Sequence, residues 1–202
     1  MKIVESNSKL RALINKALAK EGQKILTSSA KRIENRVKGL VRTAIASSPE
    51  ISSLSGGSLM LDFGLTVDPS PQIINAVTES VDVQVSKIRS SSGKFSGGIL
   101  ITIQPSNFSN LLSLSVAEQS IKNGSLPWLK WLLTTGDSII IADFGVEYKS
   151  GSGRTGGARM SNDFAPFRVD PRYSGTTDNN FITRAIQPYL KEISNIIKKE
   201  LS

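Results

Sequence analysis

The sequence predicts an α+β fold in which a long N-terminal helix packs on, or projects from, a small and mostly antiparallel sheet, and a second helix closes the chain. Three observations lead there. Apolar residues recur at helical spacing from Leu10 to Ile45. VDVQVSKI at 81–88 alternates with period two, and FSGGILITIQP returns after the turn RSSSGK as the second arm of a hairpin. Residues 188–201 carry another helical stripe. The chain divides into a basic helical arm, 1–48, and a single α+β domain, 49–202.

In the arm, Ser8 is suited to cap the helix, and Leu10, Leu13, Ile14, Ala17 and Leu18 follow at i, i+3, i+4, i+7 and i+8. The stripe runs on through Ile25, Leu26, Ile33, Val37, Leu40, Val41, Ala44 and Ile45. Ser47-Ser48-Pro49 ends it, because a residue before proline is pushed out of the α region. Unbroken, such a helix of about 38 residues spans roughly 57 Å at 1.5 Å per residue. A compact domain of this mass is only about 35–40 Å across. The helix therefore either projects or breaks, and Gly22 and Gly39 are the break points, each costing ~1 kcal/mol against alanine.

The net charge of +8 lies wholly in this segment. Residues 1–46 hold 11 Lys and Arg against 3 Glu, and the other 156 residues hold 14 of each sign. Lys24, Lys31, Arg32, Arg36, Lys38 and Arg42 mark the basic face. Three readings stand: a solvated face of a core-packing helix, contact with an acidic neighbouring subunit, or contact with nucleic-acid phosphates. No aromatic residue is interleaved, so any nucleic-acid contact is to the backbone and does not read sequence.

In the domain, EISSLSGGSLM at 50–60 reads as a loop, LMLDFGLTV at 59–67 as a strand, DPSP at 68–71 as a turn and IINAVTESV at 73–81 as a short helix. A further helix starts near Pro127, with Trp128, Leu129, Leu132 and Leu133 on its apolar surface and Gly136 closing it. Trp128 and Trp131 are either core residues or interface anchors. DSIIIADFGVEY at 137–148 reads as a strand buried on both faces. SGSGRTGG at 150–157 matches GxGxxG formally, but ARMSNDFAPFRVDPRYSG after it is no helix, so the dinucleotide reading fails. It reads as a flexible loop carrying Arg154 and Arg159, or as a segment that orders when a neighbouring subunit packs over it. Thr176, Thr177 or Asp178 caps a turn near FITRAIQ, and Pro188 separates that turn from the closing helix at about 188–201. There Tyr189, Leu190, Ile193, Ile196, Ile197 and Leu201 form the face expected to dock on the sheet.

The chain of 202 residues is 39% hydrophobic and 6% aromatic, enough for one aliphatic core. It has no cysteine and no histidine. That excludes disulfides, thiol nucleophiles, Ser-His-Asp triads and every histidine metal site. Asp137, Asp143 and Glu147 lie near one another in sequence and read as solvated strand-end acids. The expectation is a protein that works by binding and assembly, with no catalytic residues, cofactor or metal. No apolar run reaches the ~20 residues of a membrane span, and MKIVESNSKL lacks the apolar run of a signal peptide, so synthesis in the cytoplasm is expected.

Several features together resemble structural proteins of tailed-phage particles: a long basic helix, a β-rich middle, a Gly/Arg loop, a proline-bounded segment and a closing helix. LPWLKWLLTTGDSIIIADFGVEY, SGRTGGARM, FRVDPRYSGT and DNNFITRAI, within residues 126–186, look like a block found in virion structural proteins of contractile-tailed phages. The layout is similar to head–tail connector (neck) and tail-completion proteins. The resemblance implies a ring-forming protein of the virion, made in the host cytoplasm, whose partners are copies of itself and adjacent neck or tail proteins. Subunit contacts would fall to Trp128, Trp131, Arg154, Arg159, Arg168 and Arg172. Basic helices facing the ring's inside would meet DNA, and facing outward would meet acidic neighbours. The alternative is a stand-alone, sequence-independent nucleic-acid-binding protein using the N-terminal helix.

Overall fold

A computed structural model describes residues 7–91, 94–121 and 124–202. The fold is α+β: a long N-terminal helix, small antiparallel sheets and a C-terminal helical segment. Helix α1 spans Asn7–Ala46 without a break at Gly22 or Gly39. Ser8 lies inside it rather than at its cap. The expected single stripe is in fact two. Ile33, Val37, Val41, Ala44 and Ile45 are buried, whereas Leu10, Leu13, Ile14, Leu18 and Ile25 are exposed. At 3.6 residues per turn the two sets point roughly 160° apart. The second half of α1 is thus the centre of the core, and only its first half stands out. This moves the arm boundary from residue 48 into the helix, near Ser29, the first buried position.

The expected loop at 50–60 is helical: α2 spans Pro49–Gly56 and α3 spans Ser58–Asp62. Serine and glycine here act as caps. Ser48 Oγ accepts from the Ile51 amide with Pro49 in the first turn, and Ser53 Oγ accepts from the Leu59 amide at 3.0 Å. Burial of Ile51, Leu54 and Leu59 in the core holds these short helices and removes the strand expected at 59–67. Helix α4, Ser70–Glu79, begins inside the expected DPSP turn.

Strands β1 (Asp82–Ser91) and β2 (Lys94–Thr102) form the expected hairpin; Ser92 and Gly93 of its turn lie outside the described residues. A bulge between Ser86 and Arg89 breaks the ladder. It frees the Ile88 amide, which donates to Gln23 Oε1 of α1 at 2.7 Å. Gly22 allows this approach, since a Cβ there would lie 3.1 Å from Ile88 Cδ1. Gly97 faces the bulge with φ of 116°, and a Cβ would lie 2.5 Å from Lys87 O. Gly97→Ala is expected to lower stability by about 1–3 kcal/mol through backbone strain. Urea unfolding followed by circular dichroism reads this directly, and an unchanged midpoint would contradict the assignment.

Helix α5 is Ser109–Leu112, and β3 (Gln119–Ile121) pairs with β4 (Gly124–Leu126). Helix α6, Trp128–Thr134, follows Pro127 as expected and buries Trp128, Leu129, Leu132 and Leu133. The expected strand 137–148 shrinks to β5, Gly145–Tyr148. Ile139 is exposed, and Ile141 makes a single bridge to Phe167. The isoleucine run is not a buried strand, because no neighbour offers a ladder to it beyond that bridge. β5 pairs antiparallel with β6, Ala158–Ser161.

The closing segment divides at Pro188 into α7 (Phe181–Ile186), a 3₁₀ turn (Gln187–Tyr189) and α8 (Leu190–Leu201). The cap of α7 is Asn180, not Thr176, Thr177 or Asp178: Asn180 Oδ1 accepts from Ile182 and Thr183 amides, and Thr183 Oγ1 accepts from the Asn180 amide. Helix α8 docks on α1 rather than on the sheet. Ser29 Oγ donates to Glu200 O at 2.8 Å, and Ile193, Ile196, Ile197 and Leu201 pack into the core. Leu190 stays exposed. No helix among the described residues is long and apolar enough to cross a membrane.

Candidate functional site

Two regions carry the residues singled out by sequence, and the structure treats them differently. On α1 the basic face is balanced within the chain. Glu200 of α8 accepts from Arg32 Nε at 2.8 Å and pairs with Arg36 at 3.0 Å. Lys38 bridges Glu79 at 2.8 Å and Glu34 at 3.3 Å, and Lys31 pairs with Glu34 at 3.0 Å. Arg42 donates to Asn75 Oδ1, and Lys24 lies 3.9 Å from Glu21. These contacts perturb the acids. The Lys31 hydrogen bond holds Glu34 below the usual carboxylate range, the Lys38 bond does the same to Glu79, and the Arg32 bond to Glu200. Lys38 is pushed up, first by its bond to Glu79. The acidic neighbour of Arg32, Arg36 and Lys38 is therefore the chain's own α4 and α8, together with Glu34 of α1 itself. Sequence inspection missed this because Glu200 lies at the far end of the chain from Arg32.

The second region surrounds the Gly/Arg segment. It is not an open loop but the closed end of the β5–β6 hairpin. Gly151 N donates to Gly156 O at 2.8 Å and Lys149 N to Gly157 O at 2.9 Å. Gly153 takes φ of 67°, and a Cβ on it would lie 1.8 Å from Ala158 O, so only glycine fits. Trp131, Arg154 and Arg159 share a cleft of about 210 Å³ with Phe63, Gly64 and Phe167. Arg154 donates to Ser120 O at 3.2 Å, and Arg159 pairs with Glu147. Trp131 meets the Phe167 edge at 6.2 Å between ring centroids.

Trp128 does not belong to a surface. It is fully buried, lies 5.4 Å from the Phe63 ring and donates its indole N–H to Val116 O at 2.7 Å. The interface assignment for Trp128 is thus corrected to core. Arg168 and Arg172 also lie apart from the cleft. Arg172 chelates Asp170, which this bond holds below its usual range, and covers the Tyr173 ring at 5.4 Å. Arg168 is exposed.

Near the cleft, Tyr148 Oη donates to Asp62, whose carboxyl is pushed up by burial. Burial and that bond also raise the Tyr148 phenol. Among the described residues no group of three or more acidic side chains is placed to hold a metal.

The feature that sequence reading did not separate is the outward face of α1. Leu13, Ile14 and Leu18 are 50%, 50% and 56% exposed, and with Leu10 and Ile25 they form a solvent-facing aliphatic stripe. It runs roughly 22 Å at 1.5 Å per residue. Scattered exposed leucines are ordinary, whereas these five recur along a single helix. Comparison of the chain with protein-family models, with curated proteins and with solved structures finds no match in any of the three.

Proposed function

We propose that the protein is a structural assembly component of a tailed-phage particle, oligomerising into a ring at the neck or tail end and joining head and tail components. The observation behind the oligomer is the aliphatic stripe Leu10, Leu13, Ile14, Leu18 and Ile25, turned away from the chain's own core. Such an apolar patch on a folded chain is the kind of surface that a second surface covers. A second copy of the same stripe is a complementary cover. The virion setting rests on the resemblance of residues 126–186 and on the layout of the elements. The partners are further copies and adjacent neck or tail proteins, and the chain has no catalytic role.

Fractionating a lysate that contains particles encoding this chain tests the setting. The chain is expected to co-sediment with purified particles and to stay with them through a 1 M salt wash. Recovery in the soluble fraction alone would overturn the reading. The stand-alone nucleic-acid reading through Lys24, Lys31, Arg32, Arg36, Lys38 and Arg42 has less support, because acids of the same chain answer most of those charges.

A further inference from the structure

The first half of α1 has a second face, turned toward the β1–β2 hairpin, and it is rich in cations. A groove of about 1050 Å³ runs between α1 and β1. Arg11, Lys16 and Lys20 enter it from the helix, and Lys87 and Arg89 from the strand. All five are exposed, and none makes an ion pair among the described residues. Among the described residues no carboxylate lines the groove. The remaining polar side chains there, such as Asn15, are amides and hydroxyls. We propose that this groove binds the phosphate backbone of a nucleic acid without reading its sequence.

The chemistry favours a nucleic acid over an acidic protein. Protein interfaces take most of their binding energy from a few buried anchors, with tryptophan and tyrosine prominent among them. Among the described residues this groove offers Ile88 and alanines and no aromatic side chain. Phosphate contacts instead use lysine, arginine, asparagine and hydroxyl donors, which is the composition here. Arg11 and Lys20 lie about 13 Å apart along α1 at 1.5 Å per residue, with Lys16 between them, so the cations are spread along the helix rather than gathered at one point. The bulge at 86–89 sets the far wall, since Gln23 holds Ile88 and so fixes Lys87 and Arg89 on either side of it.

The site is independent of the assembly reading, and its test uses the purified full chain. Binding is measured by fluorescence anisotropy with a labelled, mixed-sequence 20-nucleotide single strand and the matching duplex, from 50 to 300 mM salt. Lys16→Gln, Lys20→Gln and Arg89→Gln together are expected to weaken binding about tenfold or more at 50 mM salt. The slope of log affinity against log salt should shrink by about 2–3. Lys191→Gln, Lys198→Gln and Lys199→Gln remove the same charge from exposed positions on α8 and are expected to change affinity by no more than about twofold. Circular dichroism confirms that both variants fold. Equal losses in the two variants would mean that net charge alone binds the strand, and the groove assignment fails. It fails also if no strand binds at 50 mM salt, or if poly-glutamate binds more tightly than the strand.

Discussion

Arg184→Met is expected to lower the stability of this protein by about 3–5 kcal/mol, a large part of the ~5–15 kcal/mol that holds an ordinary domain folded. Glu50 of α2 is buried, and Arg184 of α7 donates to its Oε1 at 2.7 Å. The same guanidinium donates to Ser174 O and Tyr173 O, each at 3.2 Å, and to Asn179 Oδ1. One side chain thus closes α2, the 173–179 segment and α7 around a carboxylate that water does not reach. Removing it leaves a buried negative charge with no counter-ion, and that uncompensated charge, not the lost attraction, accounts for the size of the effect. The double variant Glu50→Leu with Arg184→Met is expected to recover most of the loss, because it removes the charge together with its partner. Urea unfolding of the four forms supplies the cycle. A single Arg184→Met variant as stable as the native chain would show that the pair does not hold these segments.

Trp128→Ala is expected to cost a similar amount, about 3–5 kcal/mol, the range for emptying a buried aromatic site. The ring is walled by Phe63 on one side and its N–H is satisfied by Val116 O, so neither shape nor polarity is easily replaced. Trp128→Phe should cost less in volume but leaves Val116 O without that donor, for about 1–3 kcal/mol. Trp131→Ala is the useful contrast. Trp131 is only half buried and its change should lower stability less than Trp128→Ala does. If Trp128→Ala instead left the unfolding midpoint alone and changed only self-association, Trp128 would be an interface residue after all.

Much of the architecture was legible in the sequence. Period-two alternation located the β1–β2 hairpin, and Pro127 and Pro188 marked where α6 and α8 begin to within a few residues. What failed did so for physical reasons. Serine and glycine in 50–60 favour a loop by composition, yet Ser48 and Ser53 cap two short helices that Ile51, Leu54 and Leu59 hold in the core. Three consecutive isoleucines promise a strand, but a strand needs a ladder: Ile140 and Ile141 meet only Phe167 among the described residues, and Ile139 is exposed. On α1, apolar spacing alone read as one stripe across both halves. Following the phase of the helix from Leu10 through to Ile45 separates the stripes, and the outward one is then visible without coordinates. The pairing of Arg32 and Arg36 with Glu200, and of Arg184 with Glu50, was not readable, because each joins residues more than a hundred positions apart.

The outward stripe of α1 is the centre of the functional account, and sedimentation velocity at two protein concentrations tests it most directly. The native chain is expected to sediment as a multiple of 21.8 kDa, with the larger species favoured at the higher concentration. Leu13→Ser, Ile14→Ser and Leu18→Ser together should leave the 21.8 kDa monomer with its native circular-dichroism spectrum, since these side chains already face water in the single chain. A native chain that remains a 21.8 kDa monomer at both concentrations, or an oligomer that the three serines leave intact, would contradict the stripe as the surface of assembly.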